Sequence, residues 1–227
     1  AKAEELRDIP TRKMLEQEIR ARKDKARKVP ALGETHPDVR QGDFREVLSD
    51  IRPSTVNLIL TDPPYGKEYL PLWGDLARFA NRVLVDNGLL IAYAGNLYLP
   101  EIIALMQPYL DWWWIGAVFH QGPGNLTPLG QPVRKVINRW KPLLMWTKKG
   151  GGFERVFTDV VPAGGQEKQL HNWQQPMAEA LWIVEHFTQP GDLVVDPFAG
   201  SGTVARACER SGRKFIGAEI LWNGGKE

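Results

Sequence analysis

A chain of 227 residues with 43% hydrophobic and 25% charged residues has the size of one α/β domain with a short appendage and the composition of an ordinary soluble globular protein. Its apolar runs fall well short of the roughly 18 residues that a membrane span requires, and its N-terminus is charged where a secretion signal would be apolar. The single cysteine, Cys208, excludes an internal disulfide and a cysteine-rich metal centre, so a cytoplasmic protein without membrane contact is expected.

Residues 1–28 hold ten Lys/Arg against six Asp/Glu, although the net charge of the chain is only +2. Their apolar positions (Leu6, Ile9, Met14, Leu15, Ile19) are too few for a wide core-facing stripe, which predicts a peripheral charged helix. Residues 1–38 thus read as a basic helical arm and linker, and 39–227 as the main domain. From Val39 onward, short apolar runs alternate with helical segments, the pattern of a doubly wound, mainly parallel sheet covered on both faces. Strands are predicted at 55–61, 88–94, 112–119, 142–147, 192–196 and 214–219, and helices at 68–86, 98–109, 176–188 and 202–211. Between 121 and 137 the periodicity gives way to Gly, Pro, Asn and Gln, which marks a loop. Of the nine tryptophans, Trp112, Trp113 and Trp114 share one strand, and their burial against helices is expected. Trp73 and Trp173 are the rings to test for ligand contacts. The 42 residues between Asp111 and Glu154 contain no carboxylate, while Arg134, Lys135, Arg139, Lys141, Lys148 and Lys149 all lie there. A surface that approaches phosphates has this charge pattern; the bland reading is a solvated loop.

Two strand-end motifs carry the chemistry, because ligands of such sheets bind beyond the carboxyl ends of the strands. In Asp196-Pro197-Phe198-Ala199-Gly200-Ser201-Gly202-Thr203, a strand ends, two glycines allow a tight turn near a ligand, and a helix begins. The acid ahead of the glycines suits an ammonium group better than a pyrophosphate. A second strand, Lys214 to Glu219, ends in a carboxylate about 20 residues after the glycines, the place where a ribose diol is usually held. The other motif is Thr61-Asp62-Pro63-Pro64-Tyr65-Gly66. Its consecutive prolines are confined to extended or turn geometry and donate no backbone hydrogen bonds. Asp62 and the Pro63 carbonyl can accept both hydrogens of an exocyclic amine while Tyr65 stacks on the ring that carries it. A rigid turn or a sharp strand-to-helix connection would explain either motif alone; their combination selects for a site.

Asp62-Pro63-Pro64-Tyr65 resembles the catalytic motif of the DNA amino-methyltransferases. Asp196 to Thr203, with Phe215-Ile216-Gly217-Ala218-Glu219, resembles their S-adenosylmethionine-binding segment. The catalytic motif precedes the cofactor motif, an order that resembles the beta class, and the likeness extends from about Gln41 to Ile220. It implies a class I methyltransferase sheet with a short target-recognition region at about 120–165, a cofactor site that includes Asp43, His171, Asp196, Phe198, Ala199, Gly200, Ser201, Gly202, Thr203 and Glu219, and catalytic Asp62, Pro63, Pro64 and Tyr65. The DNA contacts implied are Arg134, Lys135, Arg139 and Lys141. The segment His171-Asn172-Trp173-Gln174-Gln175-Pro176 departs from the family's His-Pro-Thr-Gln-Lys-Pro, matching only at His171, Gln174 and Pro176.

The resemblance implies methylation of adenine N6, of the kind found in restriction-modification, by a monomer or homodimer acting on DNA. Its alternatives are N4 methylation of cytosine, where Ser more often replaces Asp62, a cofactor-holding DNA-binding module without turnover, and an RNA or protein substrate. No metal is expected, since methyl transfer from a sulfonium needs none and the four histidines lack metal-ligand spacing. Cys208 reads as a small packing residue.

Overall fold

The structure, a computed structural model, describes residues 36–119, 139–150, 156–161 and 177–220. The chain divides into two units, Thr35–Leu221 and a second made of Ala1–Glu34 with Trp222–Glu227; every described residue belongs to the first. The expected basic helix at 1–28 and the loop at 121–137 lie outside the described residues.

Eight strands form one sheet: β1 (Val39–Gln41), β2 (Val56–Thr61), β3 (Leu84–Tyr93), β4 (Asp111–Phe119), β5 (Trp140–Thr147), β6 (Val160–Val161), β7 (Leu193–Asp196) and β8 (Lys214–Glu219). Their spatial order is β1-β8-β7-β2-β3-β5-β4-β6. The pairs from β1 to β3 are all parallel, whereas β5 runs antiparallel to both β3 and β4. This mixed, mostly parallel sheet with helices is of the class I methyltransferase type. Five α-helices accompany it among the described residues: α1 (Phe44–Val47), α2 (Leu70–Val83), α3 (Leu99–Met106), α4 (Met177–Phe187) and α5 (Thr203–Ser211).

The buried stretches of the central strands, residues 58–60, 89–92 and 194–195, are apolar because both faces are covered. On β2, Ile59 joins the core under α1, α2 and α3, while its neighbours Leu58 and Leu60 join the core under α4 and α5. On β3, Leu90 and Ala92 face the first core and Leu89, Ile91 and Tyr93 the second, as the two-residue strand period requires. Helix α2 buries Trp73, Leu76, Ala77, Ala80 and Val83 at helical spacing. Trp73 is therefore a core residue, 1% exposed.

Two expectations are corrected here. Residues 84–86, read as the end of a helix, begin β3. In β4, Trp112 and Trp114 are exposed and only Trp113 is partly buried, its ring 5.1 Å from that of Phe157 and 6.2 Å from that of Phe187. β4 lies one strand from the sheet edge, its register against β5 shifts between Trp112 and Trp114, and its outer rings escape the cores that cover the central strands.

Candidate active site

Because β8, β7, β2 and β3 run in the same direction, their last residues, Glu219, Asp196, Thr61 and Tyr93, arrive at one edge of the sheet. Asp43 joins them: Gln41 of β1 is in register with Glu219, and the Gly42 N–H donates to the Glu219 carbonyl at 2.9 Å. The two sequence motifs are thus brought side by side.

The glycine turn after β7 is tied to β8 by the Ala199 N–H, which donates to the Ala218 carbonyl at 2.9 Å. Gly200 (φ 50°) and Gly202 (φ 77°) occupy the left-handed region, where a side chain is strained. A Cβ on Gly200 would meet nothing within 4 Å, so the turn borders open space. The Glu219 carboxylate is held across this opening: its Oε2 accepts from the Gly200 N–H at 2.7 Å, and Oε1 has no hydrogen bond among the described residues. Burial pushes the Glu219 carboxyl above its ordinary range.

Asp196 is 3% exposed. Its Oδ1 accepts from the Thr61 hydroxyl at 2.7 Å and from the Phe198 N–H at 3.1 Å. Burial outweighs these bonds and pushes the carboxyl up to about 7. Asp43 caps α1, with Oδ1 accepting from the Arg45 N–H at 2.9 Å, and pairs with the Arg45 guanidinium at 2.6 Å, which lowers its pKa. The Phe198 ring packs 5.2 Å from that of Phe44. Ala199 and Thr203 are buried and Ser201 is exposed.

Around the second motif, Tyr65 is 40% exposed and lies over Gly95, where an added Cβ would sit 3.5 Å from its own Cβ. Its hydroxyl donates to Asp62 Oδ1. Lys141, at the start of β5, donates from Nζ to Asp62 Oδ2 at 2.8 Å. The same ammonium sits 4.5 Å from the centre of the Tyr93 ring and 5.0 Å from that of Tyr65. Among the described residues, the Tyr93 hydroxyl is buried without a hydrogen-bond partner. Burial, followed by the charges of Glu179, Asp62 and Asp196, raises its pKa well above the usual phenol value. Glu179 on α4 is 6% exposed; burial lifts its carboxyl to about 7, against the opposing pull of Lys141.

The carboxylate-free basic stretch is divided by the sheet. Lys141 points into the pocket, and Arg139 is exposed beside it in sequence. β5 then runs antiparallel to β3 and delivers Lys148 and Lys149 to the opposite edge. There Lys148 is 9% exposed and donates to the Leu84 carbonyl at 2.8 Å and the Ser54 hydroxyl at 3.0 Å; Lys149 faces Asp86 at 3.7 Å. Arg134, Lys135, His171 and Trp173 lie outside the described residues. Thr61, Tyr93 and Glu179 were not among the sequence candidates. Tyr93 is the last residue but one of the predicted strand 88–94, so the strand-end rule was the signal available for it, while Glu179 carried none beyond its place among the apolar residues of the first turns of its helix. Cys208 is fully buried and its thiol is pushed up to about 12, as suits a packing residue. No group of three His, Cys, Asp or Glu side chains among the described residues is arranged to hold a metal ion, and none of the described helices is long and apolar enough to cross a membrane.

A sheet with these strand-end acids and a glycine turn defines the class I methyltransferase type. Comparison with known proteins narrows the likeness further. A family model for N6/N4 methyltransferases, described as DNA methylase, matches residues 131–223. A protein called putative methylase YubD, from Escherichia coli K12, is 25% identical over 205 residues, covering 80% of this chain and 83% of its own. The structure of a protein described as a putative DNA modification methylase from Thermus thermophilus superposes with a TM-score of 0.60 at 25% identity, covering 79% of this chain and 87% of the other; it has also been solved in complex with S-adenosyl-L-methionine. The PvuII DNA methyltransferase, cytosine-N4-specific, shares the fold with a TM-score of 0.66 at 18% identity, covering 82% of this chain and 83% of its own. Over these spans the chain is similar to N6/N4 DNA amino-methyltransferases, and its motif order resembles that of the beta class.

Proposed function

We propose that this enzyme transfers the methyl group of S-adenosylmethionine to the exocyclic N6 of adenine in DNA. One observation carries the reading: Asp62 and an exposed Tyr65 stand at the end of β2, beside the opening bounded by Asp196, the Gly200–Gly202 turn and Glu219. The residues at that opening fit the cofactor. Asp196 Oδ2 suits its ammonium group, Glu219 Oε1 its ribose hydroxyls, and Phe198 with Asp43 its adenine; His171 is assigned to the same site by resemblance. Bound there, the cofactor supplies an electrophilic sulfonium methyl group.

The protein's own part is to position the nucleophile. The amine lone pair of adenine is delocalised into the ring, so it attacks poorly. Hydrogen bonds from its two N–H groups to Asp62 and to the Pro63 carbonyl draw electron density back onto nitrogen and aim it, with Pro64 keeping the turn rigid. The base must leave the duplex stack at a cost of a few kcal/mol, and the Tyr65 ring recovers part of this by stacking. Arg134, Lys135 and Arg139 are assigned to the DNA backbone. Asp, in place of the Ser more usual in cytosine enzymes, favours adenine.

Incubation with labelled cofactor and DNA of mixed sequence, followed by nucleoside analysis, tests this directly. N6-methyladenine is the expected product. N4-methylcytosine would retain the mechanism and overturn the base assignment, and absence of label in DNA from folded protein would overturn the function.

A further inference from the structure

The pocket contains a cation that the amine-holding role of Asp62 leaves unexplained. Lys141 Nζ stands 2.8 Å from Asp62 Oδ2, with the Tyr93 and Tyr65 ring centres 4.5 and 5.0 Å away. Its side chain keeps only 21% of its surface exposed. Carboxylate and ring faces both attract the ammonium, so it is held at a defined point instead of sweeping through solvent. The result is a hydrogen-bond acceptor and a donor fixed side by side, next to the ring on which a flipped base would stack.

The bases with a methylatable amine show the complementary pattern. In adenine and in cytosine the exocyclic amine, a donor, is flanked by an unprotonated ring nitrogen, an acceptor. Flipped bases are read through such edges. In guanine only N3 offers this pattern; on its other side the amine adjoins the ring nitrogen next to the carbonyl, which carries a hydrogen and would oppose an ammonium. We propose that Lys141 reads the target base by donating a hydrogen bond to the ring nitrogen beside the amine that Asp62 holds. This rests on the assignment of Asp62 as the amine acceptor, and it makes Lys141 a specificity-determining residue within the pocket. A lysine retains three donors, so one can stay on Asp62 Oδ2 while another meets the base. The Tyr65 hydroxyl, which donates to Asp62 Oδ1, leaves it as the ring turns to stack, and the amine takes its place.

The test uses mixed-sequence duplex DNA copied with ordinary dATP, with 1-deaza-dATP or with 7-deaza-dATP, methylated in single turnover by the parent protein and by Lys141→Met. The two analogues remove, one at a time, the ring nitrogens that flank the adenine amine. A hydrogen bond to a charged group predicts that the parent is slower on one analogue by roughly 10- to 100-fold. Lys141→Met should be slowed on ordinary DNA by a similar factor and should bring the ratio between that analogue and ordinary DNA close to the value that the analogue's intrinsic amine reactivity sets. Comparing ratios cancels the intrinsic change that each analogue makes in amine reactivity. A residue that only braced Asp62 would slow all three substrates alike and leave the parent ratio intact, and that result would overturn the proposal, as would a parent enzyme indifferent to both analogues. Absence of adenine methylation by the parent on ordinary DNA would overturn the underlying function and is read separately. Calorimetric cofactor binding by Lys141→Met, expected within about threefold of the parent, shows that the variant is folded.

Discussion

If Asp196 meets the ammonium group of the cofactor, binding must be coupled to the loss of a proton. In the free protein the carboxyl is buried with a pKa of about 7, and an adjacent cation would stabilise its ionised form. At pH 6 the free carboxyl carries about 0.9 of a proton, which binding should expel, and at pH 8 only about 0.1. Each pH unit below 7 should therefore weaken binding about tenfold, or about 1.4 kcal/mol, reaching roughly 2.7 kcal/mol at pH 5. Above pH 8 affinity should fall again as the cofactor's own α-amino group, with a reference pKa of about 7.7 to 8.0, loses its charge. Titration calorimetry in two buffers of different ionisation enthalpy counts the protons released at each pH. The control is Asp196→Asn, whose Oδ1 can still accept from the Thr61 hydroxyl and the Phe198 N–H, now at 2.7 and 3.1 Å; it should bind weakly and lose most of the linkage, leaving the smaller part due to Glu219. Binding at pH 6 that releases no proton, or release that persists in Asp196→Asn, would refute the pairing.

Three other perturbations address separate parts of the site. Glu179 is held in the folded chain with its pKa raised from 4.5 to about 7, so its contribution is fully present below pH 4.5 and is lost as pH rises through 7. Relative to the parent, Glu179→Gln should gain up to about 3 kcal/mol across that window in denaturant unfolding, and a difference independent of pH would contradict the burial. Asp62→Ala should abolish methyl transfer while changing cofactor affinity little, because a group that positions the nucleophile shows in the rate; near-normal turnover would remove Asp62 from the mechanism. Replacing Arg134 and Lys135 by Ala should weaken DNA binding and flatten its salt dependence. Lys148→Ala should leave the salt slope unchanged and lower stability by about 1 to 3 kcal/mol, since it removes the buried ammonium bonded to Leu84 and Ser54.

The residue pattern by itself determined the sheet-forming runs, the covering helices and both strand-end motifs, because these depend on local matters: apolar periodicity, proline and glycine geometry, and acids placed just after a strand. It also determined that Asp62 and Asp196 would share an edge, since parallel strands joined through helices must end on the same side. What only the tertiary structure decided is the direction of β5 and everything that hangs on it. The run from Lys141 to Lys149 looks like one basic surface in sequence, yet antiparallel pairing with β3 sends Lys141 to the carboxyl-end edge beside Asp62 and Lys148 to the far edge. The short strands β1 and β6, the exposure of Trp112 and Trp114, and the approach of Glu179 to the pocket from α4 are of the same kind. Strand pairing is a contact between residues far apart in the chain, and the local pattern of a strand is the same whichever way it runs; its direction is chosen by what packs on either side of it.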